Sequence, residues 1–257
     1  MTELELSELT RSRIQEAVQI IRGSRYLVAF TGAGISVESG VPPFRGPNGL
    51  WSSYDPKYLE LSYFRQHPEK CWPILKEIFY EHFAEAHPND AHRVLAWLED
   101  QGLLKAVITQ NIDNLHQLAG SKKVIEFHGN TRDLLCLSCG KITPASPELL
   151  AVLPPRCSCS GILKPDCIFF GETIPQQAWF ESRREMAAAD VVIIVGSTGE
   201  VYPAASLPNQ AAGNGACILE INPEESNFTH TITDVFIALP AGKAMNRIEE
   251  LLSAEVS

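Results

Sequence analysis

The sequence has no long apolar run. None approaches the ~20 residues that a membrane-spanning helix needs, so we expect no transmembrane segment. Basic clusters are equally scarce: Lys122-Lys123 and Arg183-Arg184 are only pairs, and 31 acidic residues against 21 basic ones give a net charge of −10. A chain with this charge is repelled by phosphate backbones and anionic lipids. We therefore expect no direct nucleic-acid partner and no membrane partner.

Signs of export are also missing. The first residues, MTELELSELTRSRIQ, are acidic and amphipathic, whereas a secretory signal begins with basic residues and continues with an apolar stretch. We therefore expect a cytoplasmic protein, in which seven cysteines suit metal binding or free thiols better than disulfides. Neither internal repeats nor low-complexity segments are present. The sequence leaves the oligomeric state open, with a monomer favoured.

Short apolar runs alternate with helical patterns along most of the chain. Apolar runs predict buried strands at 26–30, 106–109, 124–127, 191–195, 216–221 and 235–237, and helical spacing predicts helices at about 89–101, 175–189, 203–212 and 243–253. This alternation is typical of a parallel sheet covered by helices on both faces, so we predict an α/β fold. Two stretches interrupt it and resemble insertions: 46–86, which is rich in aromatic residues, and 130–170, which is rich in Pro, Ser and Cys.

The second insertion carries a metal-ligand pattern. Cys136 and Cys139 are followed by Cys157 and Cys159, two thiol pairs that fit a tetrahedral four-sulfur zinc site. A redox dithiol is the alternative, and the second pair is one residue shorter than the common spacing. Four protein ligands leave no open position on the metal, so we expect a structural zinc rather than a catalytic one.

A glycine turn, Gly32-Ala33-Gly34, follows the first predicted strand and precedes a predicted helix. Glycines at this place let backbone amides approach a pyrophosphate at a helix N-terminus. The third glycine of the usual dinucleotide fingerprint is replaced by Val37, so a plain tight turn is an equally good interpretation.

Polar residues follow two other predicted strands. Gln110, Asn111, Asp113 and Asn114 come where the second strand ends, a position at which they could bind ribose hydroxyls and a carboxamide. Helix capping by Asp113 and Asn114 is the alternative. His128 also ends a strand and is a candidate base for a sugar hydroxyl. We expect surface or packing roles for the other histidines, which are His67, His82, His87, His92, His116 and His230.

Taken in order, these segments resemble the sirtuin family of NAD-dependent protein-lysine deacylases over nearly the whole chain, in a compact prokaryotic-type form. The matching stretches are GAGISVESGVPPFRG at 32–46, PNDAH at 88–92, TQNIDNLHQLAGS at 109–121, EFHG at 126–129, LKPDCIFFGE at 163–172, GSTGEVYPAA at 196–205, EINPE at 220–224 and the cysteine pairs. The resemblance implies a Rossmann-like NAD-binding domain from 1–45, 87–129 and 171–257. It also implies a smaller domain made of a helical insertion at 46–86 and a zinc-binding module at 130–170.

The resemblance also implies roles for individual residues. NAD as co-substrate would contact Gly32, Ala33, Gly34, Ser36, Phe44, Arg45, Gln110, Asn111, Ile112, Asp113, Gly196, Ser197, Asn222 and Ala241. An acyl-lysine peptide would lie as a strand between Phe170-Gly171-Glu172 and Gly199-Glu200-Val201. His128 and Asn111 would be catalytic, and Cys136, Cys139, Cys157 and Cys159 would bind one structural Zn²⁺.

The implied reaction transfers the acyl group from lysine to ADP-ribose, releasing nicotinamide and O-acyl-ADP-ribose, with His128 removing a ribose proton. Leu75 and Ile78 stand where members that remove acidic acyl groups have Tyr and Arg, so an apolar wall is expected and succinyl is disfavoured. Three features depart from the family pattern: Pro43, the order Ser197-Thr198, and the short second cysteine pair. Protein mono-ADP-ribosylation and a non-enzymatic NAD-binding or partner-recruiting module are the alternatives.

Overall fold

The computed structural model describes residues 7–44 and 49–254. Its α-helices are α1 (Glu8–Gly23), α2 (Leu50–Ser53), α3 (Leu61–Gln66), α4 (Pro68–Lys76), α5 (Asp90–Asp100), α6 (Leu115–Leu118), α7 (Gln176–Ala188), α8 (Ser206–Gly213) and α9 (Ala241–Ala254). Its strands are β1 (Leu27–Thr31), β2 (Leu104–Thr109), β3 (Val124–Glu126), β4 (Gly129–Cys136), β5 (Ile142–Pro144), β6 (Leu163–Cys167), β7 (Val191–Val195), β8 (Cys217–Asn222) and β9 (Val235–Ala238). In this part of the chain, no helix is long and apolar enough to cross a bilayer.

Six strands form a parallel sheet in the order β3-β2-β1-β7-β8-β9. All six predicted strands are confirmed, with ends that shift by no more than two residues. Every residue of β1 and β7 is buried, because both faces of the sheet are covered. This pattern explains why unbroken apolar runs, rather than alternating ones, mark these strands in the sequence.

Helices cover the two faces of the large sheet. On one face, Ile14 of α1, Leu95 of α5 and Ile248 of α9 belong to one apolar cluster with the sheet, and on the other, Met186 of α7 and Leu207 of α8 belong to a second. The four predicted helices are confirmed as α5, α7, α8 and α9, although α8 begins three residues later than predicted. The Rossmann-like parallel-sheet fold is therefore present.

Local signals explain where two of these helices begin. The Ser7 hydroxyl accepts a hydrogen bond from Thr10 N at 3.1 Å and caps α1. Asn89 caps α5 in a reciprocal arrangement, in which its side chain accepts from Ala91 N and the His92 ring accepts from Asn89 N. Such caps satisfy amides that would otherwise have no partner at a helix start.

A second, antiparallel sheet in the order β5-β4-β6 lies outside the alternating pattern. Helices α2 to α4 pack with it in one apolar cluster that includes Phe64, Trp72, Leu134 and Phe169. The indole of Trp72 is fully buried and donates to Leu163 O at 2.9 Å, which joins α4 to β6. The two stretches that interrupt the sequence pattern therefore share one core.

We predict that this indole is a main support of the smaller unit. Trp72→Phe removes the donor and leaves the buried Leu163 carbonyl without it, so we expect a loss of about 1–3 kcal/mol in the free energy of unfolding. Urea denaturation measures the change. Trp179→Phe, in a partly exposed tryptophan of α7, is the matched control. An equal loss in both variants would contradict the assigned role.

Candidate active site

A cavity of about 650 Å³ opens at the carboxyl ends of the parallel strands. The sheet runs from β1 to β2 and β3 on one side and from β7 to β8 and β9 on the other, so its direction switches between β1 and β7. Ligands bind open α/β sheets at such switch points. The four central strands all contribute to the wall, through Gly32, Ala33 and Gly34 after β1, Gln110, Asn111 and Ile112 after β2, Gly196 and Ser197 after β7, and Asn222 in β8.

The glycine turns after β1 and β7 touch backbone to backbone. Gly34 N donates to Gly196 O at 2.9 Å, and a Cβ on Gly34 would lie 2.6 Å from Gly196 Cα. Gly196 has a φ of +66°, and a Cβ there would lie 2.1 Å from Ile35 N. Only glycine fits at either position without moving the chain. The contact leaves bare backbone on the cavity wall, which lets a pyrophosphate approach closely.

The helix predicted after the first glycine turn is present. It is a 3-10 helix, Ala33–Ser39, and Gly40, with a φ of +84°, follows its last residue. Runs of 3-10 helix stop after a few residues because their hydrogen bonds are poorly aligned. The turn therefore offers close backbone approach rather than the macrodipole of a long helix.

Ser36 is the centre of a polar network beneath the cavity. Its buried hydroxyl donates to Asp113 Oδ2 at 2.6 Å and accepts from Asn111 Nδ2 at 3.1 Å. The other Asp113 oxygen accepts from Leu115 N at 3.0 Å, so the capping interpretation of Asp113 also holds. Burial raises the pKa of the Asp113 carboxyl, although the Ser36 hydroxyl and other donors partly oppose this.

Gln110 reaches across the sheet. Its side-chain amide donates to Ser197 Oγ at 2.9 Å, which joins the ends of β2 and β7 over the end of β1. Ser197 thus lines the cavity and accepts a hydrogen bond from Gln110, although the order Ser197-Thr198 is inverted relative to the family pattern.

His128 lies on the cavity wall directly before β4. Its Nδ1 is 3.0 Å from Gln110 O, and because a carbonyl can only accept, Nδ1 carries the proton and Nε2 keeps a free lone pair. Burial lowers the pKa of His128 below its usual 6.5, while the bond to the Gln110 carbonyl opposes the shift. The ring is therefore neutral at physiological pH and suited to accept a proton.

Two histidines below the site were expected only to be surface or packing residues. Both are fully buried: His116 Nε2 lies 2.9 Å from Thr31 Oγ1, and His92 Nε2 lies 3.5 Å from Ser36 Oγ. Burial lowers the pKa of His92 to about 4 and that of His116 well below 6.5. The packing half of the expectation is confirmed, but their links to site residues were missed. The signal in the sequence was their position inside the PNDAH and TQNIDNLHQLAGS stretches.

Both predicted peptide-binding segments contribute residues to the cavity wall. Phe170, Gly171 and Glu172 line it, and so do Glu200 and Val201. The half-exposed Phe170 ring lies 6.1 Å from the Trp51 ring, centroid to centroid. Glu172 turns its carboxylate inward, because Oε2 accepts from Phe169 N at 2.7 Å.

The helical insertion contributes an apolar wall, but through residues other than those predicted. Leu59 and Phe79 line the cavity, whereas Leu75 and Ile78 are buried in the core and are not among its lining residues. Phe44 also lines it, with its ring centroid 5.4 Å from that of Trp51. Arg45 lies outside the described residues.

Four other predicted contacts do not belong to the cavity lining that the structure describes. Ser36 and Asp113 lie behind it and reach the site through Asn111. Gly199 and Ala241 are also absent from the wall, and Ala241 is buried at the start of α9. Their roles toward a ligand stay predictions.

The four predicted cysteine ligands come together away from the cavity. Their sulfur atoms all lie within 4.8 Å of one another, with 3.5 Å between the Sγ atoms of Cys136 and Cys159 and 3.8 Å between those of Cys139 and Cys157. Zinc at about 2.3 Å from each sulfur requires S···S distances of about 3.8 Å, so the cluster fits the metal despite the short second pair. A backbone hydrogen bond from Cys159 lowers the pKa of Cys157 to about 6, whereas the pKa of Cys159 itself is raised to about 11 by the neighbouring Cys139 and Cys136 thiols.

Comparison with known proteins agrees with this geometry. The Sir2 family model matches residues 32–203. The NAD-dependent protein deacetylase of Thermodesulfovibrio yellowstonii is 41% identical over 250 residues, covering 95% of this chain and 96% of its own. The NAD-dependent protein deacylase 2 of Pyrobaculum aerophilum is 43% identical over 236 residues, covering 90% of this chain and 92% of its own.

Solved structures show the same fold. A Sir2 homolog–NAD complex superposes with a TM-score of 0.88 at 39% identity, covering 95% of both chains. A Sir2–p53 peptide–NAD⁺ complex gives a TM-score of 0.86 at 38% identity, covering 95% of this chain and 99% of the other. Since the family model matches more than half of the chain and these relatives align over nearly all of it, the chain belongs to the Sir2 family.

Proposed function

We propose that the protein is an NAD-dependent protein-lysine deacylase that transfers the acyl group from lysine to ADP-ribose, releasing nicotinamide and O-acyl-ADP-ribose. One observation carries the proposal. His128, whose pKa is lowered by burial, holds its proton on Nδ1 through the Gln110 carbonyl and lies in a cavity that glycine backbone and polar strand ends also line. The names of the relatives, NAD-dependent protein deacetylase and deacylase, support it.

Bound NAD would supply an activated ribose, because nicotinamide is a good leaving group. The residues of the chain bind and orient it. Bare backbone at the two glycine turns accommodates the phosphates, and Gln110, Asn111, Ile112 and Asp113 hold the nicotinamide end. We assign the remaining contacts to Ser36, Phe44, Arg45, Gly196, Ser197, Asn222 and Ala241. His128 Nε2 accepts a proton from a ribose hydroxyl in this arrangement.

The substrate in this proposal is an acyl-lysine peptide. A related structure contains a p53 peptide together with NAD⁺, which supports a peptide ligand. The segments 170–172 and 199–201 would hold its backbone as an added strand. Leu59 and Phe79 give the cavity an apolar wall, which favours acetyl or fatty acyl groups over succinyl.

We also propose the domain division at 1–45, 87–129 and 171–257 for the NAD-binding part, with 46–86 and 130–170 forming the smaller domain. All strands of the parallel sheet fall in the first set and the antiparallel sheet falls between Gly129 and Cys167, which supports the division. The cytoplasmic location stays a prediction.

Loss of the base should slow turnover strongly. We expect His128→Ala to lower acyl-dependent nicotinamide release by about 10²- to 10⁴-fold, the usual contribution of a general base. The measurement follows nicotinamide and O-acyl-ADP-ribose from NAD with acetyl-, succinyl- and myristoyl-lysine peptides. His87→Ala, at an exposed histidine, is the control. Nicotinamide release without acyl dependence, or ADP-ribose left on protein, would favour a transferase, and NAD binding without release would favour a binding module.

The neutral form of His128 should govern the pH profile. Because burial lowers its pKa below 6.5, the free base persists to mildly acidic pH. We expect kcat/KM to be flat through neutrality and to fall only below about pH 6.5, the unperturbed histidine value. The residual activity of His128→Ala should lack this acidic limb. A midpoint above pH 7 in the wild type would argue against the buried neutral base.

Removal of the metal should unfold the cysteine module. We expect a strong chelator, or Cys139→Ser, to lower the melting temperature by at least about 5 °C, because binding of a structural zinc contributes directly to folding. Metal analysis of the purified protein should find one zinc per chain. Cys217→Ser, outside the cluster, should retain it. Equal zinc contents in the two variants would contradict the assignment.

A further inference from the structure

Lys164 in β6 is a fully buried charge that the proposed reaction does not use. Its ammonium group has three acceptors, Pro165 O at 2.9 Å, Cys167 O at 2.6 Å and Glu172 Oε2 at 3.0 Å. An ammonium has three protons, so each of them has a partner. The charge also lies 4.3 Å from the centroid of the Phe169 ring, over its face.

Glu172, the acidic partner of Lys164, is bonded to both Lys164 and the backbone of Phe169. Glu172 Oε2 accepts from Phe169 N at 2.7 Å as well as from the ammonium group, and Glu172 N donates to Phe169 O at 3.0 Å. Gly171, with a φ of +88°, makes the turn between them. Residues 167–172 are thus held from inside by one ion pair, and we call this segment the clamped loop.

The clamped loop has two connections to the site. Ile168 N donates to His128 O at 2.9 Å, so the loop is fixed against the residue that carries the base. Phe170 exchanges backbone hydrogen bonds with the helical insertion, donating to Leu59 O at 2.8 Å and accepting from Leu61 N at 3.0 Å. The loop therefore spans from the base to the insertion and forms part of the cavity wall between them.

We propose that Lys164 and Glu172 are positioning residues for the peptide, and that Glu172 acts through Lys164 and the Phe169 amide rather than by contacting the substrate. Burying two charges is costly, and a buried ion pair is seldom more stable than well-packed apolar residues. The pair instead fixes the backbone of the clamped loop, to which the peptide would add as a strand. This inference rests on the proposed deacylase function.

The first test is Lys164→Met, which keeps most of the side-chain volume and removes the charge. We expect the KM for acetyl-lysine peptide to rise at least about tenfold, since a wall misplaced by a fraction of an ångström binds poorly. The KM for NAD should change by less than about twofold, because the glycine turns follow β1 and β7 and are not part of the clamped loop. Hydrogen exchange of residues 168–170, followed by mass spectrometry, should become faster. Lys122→Met is the matched control, because it breaks an exposed ion pair with Asp100 and should change none of these values.

A second variant separates positioning from general stability. Lys164→Met leaves a carboxylate buried without its partner, whereas Lys164→Met/Glu172→Gln removes both charges and keeps an acceptor for the Phe169 amide. We expect the double variant to regain thermal stability while its peptide KM stays high. The proposal would be overturned if the double variant regained both its melting temperature and a low KM for the peptide. It would also be overturned if the KM for NAD rose as much as the KM for the peptide.

The proposal for Lys164 and Glu172 and the proposed deacylase function can be refuted separately. Wild-type protein that releases no nicotinamide with any acyl peptide would refute the deacylase, yet the exchange experiment would still test the clamped loop. Unchanged exchange at residues 168–170 in Lys164→Met would refute the clamp even in an active deacylase.

Discussion

The site depends on one contact between two pieces of backbone, that of Gly34 with Gly196 at the switch point of the parallel sheet. A side chain on either glycine would force apart the turns that follow β1 and β7. Their close approach lets the Gln110 amide span from the end of β2 to Ser197 beyond β7. The sheet fixes the spacing of the strands, and the lining residues follow the ends of those strands. The close contact of the two glycine turns then determines the shape of the cavity between them. Backbone geometry therefore positions the cofactor side of the site.

Most of the fold was predictable because strands that are buried on both faces of the sheet consist of unbroken apolar runs, as in β1 and β7. No comparable sequence pattern predicts the hydrogen-bond partners of buried polar groups. His116 bonds to Thr31, which is 85 positions away, and no local spacing identifies that pair. Glu172 illustrates a similar limit: its motif placed it at the peptide site, but only the structure shows that its carboxylate turns inward. The motifs predicted which residues line the cavity more accurately than they predicted the contacts of each side chain there.

The two halves of the cavity are built by different physical means. The cofactor half is framed by strands that are buried on both faces, so only their ends can present polar groups. The half that we propose for the peptide comes from a loop between β6 and α7, supported by a buried ion pair and by an antiparallel sheet next to the cysteine cluster. A metal in that cluster would act on the substrate half through the backbone of β4 and β6. Its contribution to catalysis would therefore be mechanical, through the shape of the peptide-binding wall.

Gln110 links the strand ends of the cofactor half to His128. Its backbone N donates to Thr31 O at 2.9 Å, its side chain donates to Ser197, and its carbonyl fixes the proton of His128 on Nδ1. The tautomer of His128 is thus set by a backbone carbonyl at the end of β2, an acceptor that no side-chain substitution can remove. A histidine oriented by a carboxylate would gain a charged partner and a higher pKa. Orientation by a carbonyl in a buried place keeps the ring neutral, which a base for a hydroxyl requires at physiological pH.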